Sequence, residues 1–206
     1  SDAHSPGKLG REATVVHADP SYADVIGAIR TNDHRLAGTI EFFPEEGKYH
    51  SDGHRVCNVR FTPEETRSHG GICPVCTKPL VVGVDYRVHE LADRPLGERT
   101  VQKQVEYIVP LTEVIAELRG TKSTTSKGVV EEYDKHIASL GDEFSILRQL
   151  PLDHIHSHAP HIAHAVERIR SGKVYRDPGF DGVFGTIRVF KDEAEKADTL
   201  SQLSLL

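Results

Sequence analysis

The stretches HRVC at residues 54–57 and CPVC at residues 73–76 decide how the first half of this 206-residue chain folds. Each is a pair of metal-ligand types with a two-residue spacer, and fifteen residues separate the two pairs. A two-residue spacer lets both members of a pair reach one ion, and zinc prefers a tetrahedron of thiolates and imidazoles. The spacing therefore predicts a closed, structural zinc site with the ligands His54, Cys57, Cys73 and Cys76.

The alternatives to this site concern its occupancy and its fourth ligand. One alternative is three thiols without a metal, although all three cysteines of the chain fall into the pattern. His50 is the rival fourth ligand, but its spacing to Cys57 is too long for a two-residue pair, which favours His54. Thr77 stands where zinc ribbons often place glycine. Such a site would stabilise a small β module rather than carry out catalysis.

The composition is that of an ordinary globular protein and argues against several classes. Hydrophobic residues make up 37% of the chain and charged residues 27%. No run of about 18 apolar residues and no basic-then-apolar leader is present, so we expect neither a membrane span nor secretion. The CxxC pair predicts a reducing compartment, the cytoplasm. The net charge of −6 disfavours a non-specific nucleic-acid coat but is compatible with locally basic groups.

Strand signals dominate the first half of the chain and helix signals the second, which predicts the α+β class. We expect a zinc-ribbon-like β module over residues 37–105 and a helical module over residues 106–190. A β-hairpin at residues 173–190 would close the helical module through the turn GFDGVFG. Residues 191–206 are predicted to be a flexible tail.

Local signals predict individual elements. Asp19-Pro20 predicts a helix start, and strands are expected over residues 39–43 and 80–88. Thr62 and Glu65 have the spacing of a capping box, which predicts a short helix after them. One face of the helix at residues 128–141 is expected to be apolar, and its members are Val130, Tyr133, Ile137 and Leu140.

Three weaker sequence signals indicate functional sites, and each of them is also compatible with ordinary surface residues. Asp2 and His4, one residue apart, suit a divalent metal, but two such residues are most often surface residues. The loop EEGKYHSDGHR at residues 45–55 has the composition of a substrate-binding loop or of a solvated one. Lys122 and Lys127 flank a Ser/Thr-rich loop before a helix, which would suit a phosphate or be an ordinary surface loop.

Four separated segments together resemble the endonuclease Q family. They are EFFPEEGKYHSDGHRVCNVRFTPEET at residues 41–66, ICPVC at 72–76, YRVHELADRP at 86–95 and PGFDGVFGTIRVF at 178–190. The segments occur in the same order as in the family, and the resemblance runs from residue 1 to about residue 190. The resemblance implies a function for the zinc-binding and helical modules and assigns the first residues to a further domain.

The resemblance implies a PHP-domain DNA repair nuclease. Its members cleave DNA on the 5′ side of deaminated bases (uracil, hypoxanthine, xanthine) and of abasic sites. SDAH at residues 1–4 matches the last PHP motif, so Asp2 and His4 would be catalytic metal ligands for Mg²⁺, Mn²⁺ or Zn²⁺. The other PHP ligands would lie upstream, residues 1–36 would be the C-terminal end of a PHP (β/α) barrel, and the chain alone would be inactive. The four predicted zinc ligands match those of the family.

Two kinds of partner are expected for the chain. Deaminated DNA would be held by five residues, which are Tyr49, His50, Arg55, Lys122 and Lys127. The terminal QLSLL is similar to a sliding-clamp-binding motif, with Gln202, Leu203, Leu205 and Leu206, although phenylalanine is usual at the last position. A core strand is the alternative for that segment. The alternative for the whole chain is a zinc-ribbon module that contacts proteins and has no DNA role, which the negative charge favours.

Overall fold

The computed structural model describes residues 3–95, 98 and 103–197. The described residues divide into two compact units. Unit 1 comprises residues 3–42, 103–175 and 188–197, and unit 2 comprises residues 43–95, 98 and 176–187. This division differs from the predicted domains in three respects, one of which is that residues 191–197 of the predicted tail belong to unit 1. The first 42 residues group with the helices, and the tip of the hairpin at residues 173–190 groups with the cysteines.

A three-stranded sheet in the order β1-β2-β5 lies in unit 1. Its strands are β1 (Ala13–Val16), β2 (Leu36–Glu41) and β5 (Gln104–Tyr107). β1 pairs antiparallel with β2, whereas β5 pairs parallel with β2. Gly38 allows the second pairing, because a Cβ atom at this position would collide with the backbone of Gln104. The strand expected over residues 39–43 is β2, which begins earlier, at Leu36, and ends at Glu41.

Helix α1 (Tyr22–Thr31) connects β1 to β2. Its N-cap is Ser21, whose hydroxyl accepts a 3.2 Å hydrogen bond from the amide of Asp24. The helix thus starts two residues later than the Asp19-Pro20 signal predicts. Ser21 supplies the oxygen that satisfies an end amide.

The other helices of unit 1 pack around a shared apolar core. They are α4 (Leu111–Leu118), α5 (Lys127–Leu140), α6 (Leu152–His158) and α7 (Pro160–Arg170), with a π-helical turn at Ser145–Gln149. The core contribution of α4 includes Leu111, Val114 and Ile115, all of them fully buried. Along α7 the buried side chains recur at helical spacing, from Ile162 to Ile169.

The buried face of α5 differs from the predicted one. Leu140 is buried as predicted, but Val130 is 43% exposed, and Val129 and His136 are buried in addition. The buried face of the helix is therefore turned toward Val129. The apolar sequence pattern did not predict this face, because one of its buried members is a histidine. Burial lowers the pKa of His136, so the ring is accommodated in its neutral form near neutral pH.

Unit 2 is built on a short hairpin and two short helices. β3 (Asp52–His54) pairs antiparallel with β4 (Val59–Phe61), and α2 (Pro63–Ser68) and α3 (Val84–Leu91) follow. The capping box is present as predicted. The amide of Thr62 donates to the Glu65 carboxylate at 2.8 Å, and the amide of Glu65 donates to the Thr62 hydroxyl at 3.3 Å.

The strand predicted over residues 80–88 is wrong beyond Val81. Val81 forms a single bridge with Gly53, and α3 begins two residues after Val82. The amide of Gly83 donates to the buried carboxylate of Asp52 at 2.6 Å, which turns the chain into the helix. A Cβ atom at Gly83 would collide with the backbone of Ser51. The valines of this stretch favour a strand locally, but this long-range contact overrides the preference.

The predicted hairpin near the end of the chain is present. Its strands are β6 (Tyr175–Asp177) and β7 (Thr186–Arg188), which form a two-stranded sheet. The architecture as a whole is mixed α+β with small sheets, as expected. Within the described ranges, every helix is too short or too polar to cross a lipid bilayer.

Candidate metal centre

The four predicted zinc ligands converge in unit 2. Their ligand atoms, one nitrogen and three sulfurs, all lie within 4.8 Å of one another. The residues of this cluster, hereafter the Cys/His centre, are His54, Cys57, Cys73 and Cys76. Within the described residues it is the only such group of three or more histidine, cysteine or acidic side chains. The sulfur of Cys76 lies 3.6 Å from Nδ1 of His54.

The β3–β4 hairpin positions the first pair of ligands. His54 is the last residue of β3, and Arg55–Cys57 form a 3₁₀ turn that folds Cys57 back toward it. Asn58 ends the turn in the left-handed conformation, with φ of 51°. Asparagine tolerates this region better than most residues, so the turn is encoded locally.

A tight turn positions the second pair. The amide of Cys73 donates to the carbonyl of Lys78 at 2.8 Å, and the amide of Thr77 donates to the carbonyl of Cys73 at 2.9 Å. Cys73 is fully buried and packs with Val59 and Leu80 in a small apolar cluster. The Cys/His centre is therefore packed against the small apolar cluster of Val59 and Leu80.

The electrostatics of the thiols suit a cation. Burial opposes ionisation of Cys73, but the amides of Cys76 and Val75 point at its sulfur, and the net effect is a lowered pKa. Burial and the neighbouring thiols raise the pKa of Cys57 to about 11. Three adjacent thiolates would repel one another unless a cation lay between them, and a coordinated thiol is deprotonated outright. Three sulfurs and one imidazole form a donor set that zinc prefers. Zinc as the metal stays a prediction.

Thr77 provides a test of the second turn. It is in the left-handed conformation, with φ of 58°, at the place where zinc ribbons often have glycine. A β-branched residue is strained there, since the left-handed region costs an L-residue roughly 1–2 kcal/mol. We expect Thr77→Gly to raise the free energy of unfolding of unit 2 by about 1 kcal/mol, because glycine removes the strain but adds chain entropy to the unfolded state. Urea unfolding of the metal-loaded protein measures this, with Thr125→Gly as an exposed control, and an unchanged midpoint would contradict it.

The remaining predicted site residues are distributed over both units. His50 is not a member of the Cys/His centre, and its carbonyl accepts the amide of Asp85 at the start of α3. Tyr49 and Arg55 are exposed in unit 2. Lys122 and Lys127 are exposed in unit 1, where Lys127 lies 3.7 Å from the carboxylate of Glu131. These residues stay predicted DNA contacts.

Of the predicted catalytic and clamp-binding residues, only His4 lies among the residues that the structure describes. His4 lies in an exposed segment, and Asp2 falls outside the described residues. The four residues of the clamp-like motif, Gln202, Leu203, Leu205 and Leu206, also lie outside them. Their roles stay predictions.

An open groove beside the first pair of ligands was not predicted. Its volume is about 530 Å³, and it is lined by Arg55, Asn58, Arg60, Asp177, Phe180 and Val183. Within the groove, Arg60 forms an ion pair of 2.6 Å with Asp177. The carboxylate of Asp181 accepts the backbone amide of Arg55 at 2.6 Å. The sequence signal for this groove is the turn GFDGVFG, whose glycines let the loop lie against the turn at Arg55.

Comparison with known proteins identifies relatives that span most of the chain. Residues 110–173 match the model of the MJ0043 C-terminal domain. The uncharacterized protein MJ0043 of Methanocaldococcus jannaschii is 30% identical over 195 residues, which cover 91% of this chain and 24% of that protein. The uncharacterized protein YqxK of Bacillus subtilis is 27% identical over 193 residues, 91% of this chain and 45% of that protein.

Two solved structures share the fold. The lesion-specific endonuclease PfuEndoQ from Pyrococcus furiosus superposes with a TM-score of 0.77 and 28% identity, over 97% of this chain and 51% of that one. Endonuclease Q in complex with a 27-mer duplex carrying an abasic lesion at the active site gives a TM-score of 0.71 and 28% identity, over 91% and 47%. The chain thus spans about half the length of these structures and less of the curated relatives. The resemblance in the motifs is confirmed, and this chain is similar in structure to endonuclease Q over nearly its whole length.

Proposed function

We propose that this chain is the damage-recognising part of a DNA repair endonuclease. The enzyme would hydrolyse the phosphodiester on the 5′ side of deaminated bases (hypoxanthine, uracil, xanthine) or of abasic sites. The observation that carries this proposal is the superposition of 97% of the chain on a lesion-specific endonuclease, with a TM-score of 0.77. A second such structure holds duplex DNA with an abasic lesion, which supports DNA as the partner.

The Cys/His centre has a structural role in this proposal. Four protein ligands complete the tetrahedral coordination of a zinc ion, which leaves no open position for a substrate or a water molecule. Zinc bound there would fix the β3–β4 hairpin and the turn at Cys73 relative to each other. It would thereby hold the exposed side chains around Tyr49 and Arg55 in place for the DNA.

The catalytic metals would belong to another site. By resemblance, Asp2 and His4 would be two of the ligands of a PHP metal cluster, which activates water and stabilises charge on the phosphate. Only these two residues of the chain match that motif, so we expect no cleavage by the chain alone. The cytoplasm is the proposed location, and QLSLL is proposed to bind the sliding clamp.

Binding of DNA by the full chain tests the proposal. We expect tighter binding to a hypoxanthine-containing oligonucleotide than to the matched undamaged one, because a mispaired base costs less to unstack. Affinity should fall steeply with salt, since each neutralised phosphate of a duplex contributes a slope of about 0.9 in the logarithmic plot. Fluorescence anisotropy across a salt series measures both. Negligible binding to either DNA at low salt would contradict the proposal and favour a protein-contact module.

A further inference from the structure

Two exposed aromatic rings and one lysine form a patch on unit 2. Phe184 is 72% exposed and Tyr49 is 46% exposed. The ammonium group of Lys48 lies 5.5 Å from the ring centre of Phe184 and 5.9 Å from that of Tyr49. We call these three residues the aromatic patch. One cation thus lies within 5.9 Å of the centres of two rings that are both exposed to solvent.

The loop that carries Phe184 is held firmly. Four main-chain hydrogen bonds of 2.8–3.0 Å tie residues 179–185 to residues 45–51. The amides of Gly179, Gly182 and Gly185 donate to the carbonyls of Glu45, Lys48 and Glu46, and the amide of Ser51 donates to the carbonyl of Gly179. Phe184 is therefore not at the tip of a loose loop. A single exposed apolar side chain would need no explanation, but two exposed aromatic rings grouped around one cation on a firmly held loop point to a binding role.

Two cationic side chains that form no ion pair within the described ranges lie beside the rings, although the Asp181 carboxylate accepts the backbone amide of Arg55. Among the described residues, Lys48 and Arg55 form no ion pair, whereas Arg60 pairs with Asp177 and Arg176 pairs with Glu45. Tyr49 and Arg55 face the same stretch of the loop. A Cβ atom placed on Gly182 would lie 3.4 Å from Nη1 of Arg55 and 3.6 Å from the Tyr49 hydroxyl.

We propose that the aromatic patch is a stacking platform for unpaired bases of a nucleic-acid strand, with Lys48 and Arg55 binding the flanking phosphates. Every base has a π face, so stacking on an aromatic ring tolerates any sequence and contributes roughly 5- to 150-fold in affinity per base. Rings alternating with unpaired cations match the alternation of bases and phosphates in a single strand. The inference rests on the proposed function for its choice of nucleic acid, and it adds Phe184 and Lys48 to the contact residues.

The test is binding of a labelled, undamaged single-stranded oligodeoxynucleotide to the full chain. Phe184→Ala is expected to weaken binding at least about fivefold without changing the salt slope, because stacking releases no counterions. Phe184→Trp should restore the affinity. Lys48→Gln should weaken binding and reduce the salt slope by about 0.7, the contribution of one phosphate in a single strand. Leu91→Ala, at a similarly exposed apolar side chain on α3, is the matched control and should bind like the original protein.

The outcomes separate this inference from the proposed function. Equal affinity of Phe184→Ala and the original chain, with metal content and unfolding midpoint unchanged, would overturn the inference even if the lesion preference is present. No binding of the single strand by the original chain would overturn it as well, and would assign the aromatic patch to a protein partner. Loss of affinity in Phe184→Ala together with no lesion preference would contradict the proposed function and support the stacking platform.

Discussion

Cys73→Ala is expected to abolish metal binding at the Cys/His centre and to unfold unit 2. Its sulfur is one of four ligand atoms within 4.8 Å, and its side chain is fully buried. Structural zinc contributes roughly 10–16 kcal/mol of apparent binding energy in small domains near neutral pH. This is as large as the whole net stability of most domains, which is about 5–15 kcal/mol. The apolar cluster around Cys73 contains only two other buried residues, Val59 and Leu80, and cannot replace the metal.

Two measurements on the full chain check this expectation. Metal analysis of the purified protein should give about one zinc per chain, and a strongly reduced content in Cys73→Ala. Amide hydrogen exchange should show lost protection over β3, β4 and α2, and retained protection over α4 and α7. The difference arises because the helices of unit 1 have their own apolar core.

Val75→Ala is the matched control. Val75 lies in the same turn, but its side chain is 67% exposed and it contributes no ligand. The variant should therefore keep its metal and its protection pattern. If Cys73→Ala also keeps the protection of β3 and β4 after treatment with a chelator, the apolar contacts alone hold unit 2 and a structural metal is not needed.

Sequence reasoning succeeded where the determinants are local. The two-residue spacers bring their ligands onto one side of a tight turn, and the four side chains do converge. The capping box at Thr62 and Glu65 depends on three residues of separation, and it formed as predicted. Thr77 was identified as a departure from zinc ribbons, and it adopts the left-handed backbone that makes glycine usual there.

Sequence reasoning failed where distant segments decide the outcome. The valines before α3 favour a strand, yet the carboxylate of Asp52, 31 residues away from Gly83 in sequence, sets the start of a helix. Phe184 belongs to a glycine-rich turn, and only the hydrogen bonds to residues 45–51 reveal that this turn is fixed. In neither case does the local sequence indicate which distant segment will form the contact.

Glu143→Ala is expected to have the largest effect on unit 1, because one carboxylate joins three segments. It accepts hydrogen bonds from both terminal nitrogens of Arg11, at 2.6 and 3.2 Å, and from the Tyr133 hydroxyl at 3.2 Å. It also accepts the amide of Leu111 at 2.8 Å, the first amide of α4. Only 15% of its side chain and 20% of that of Arg11 are exposed.

The expected loss is about 3–5 kcal/mol in the free energy of unfolding, which is the usual result of removing one partner of a buried ion pair. Alanine would leave a largely buried guanidinium without its counter-charge and the helix amide without an acceptor. Negative charge at the start of α4 also suits the helix dipole, which adds about 0.3–1 kcal/mol. Urea unfolding followed by circular dichroism measures the loss.

Two companion variants distinguish the buried charge from ordinary packing. Tyr133→Phe removes a single long hydrogen bond and should cost about 1 kcal/mol or less. Arg11→Met combined with Glu143→Leu removes both charges, so it should be less destabilised than Glu143→Ala. If the double variant loses as much stability as the sum of its single changes, the ion pair contributes nothing of its own. The residues before β1 would then be held to the helices by packing such as the close approach of the Phe144 ring to Gly10, where a Cβ atom would collide with the ring.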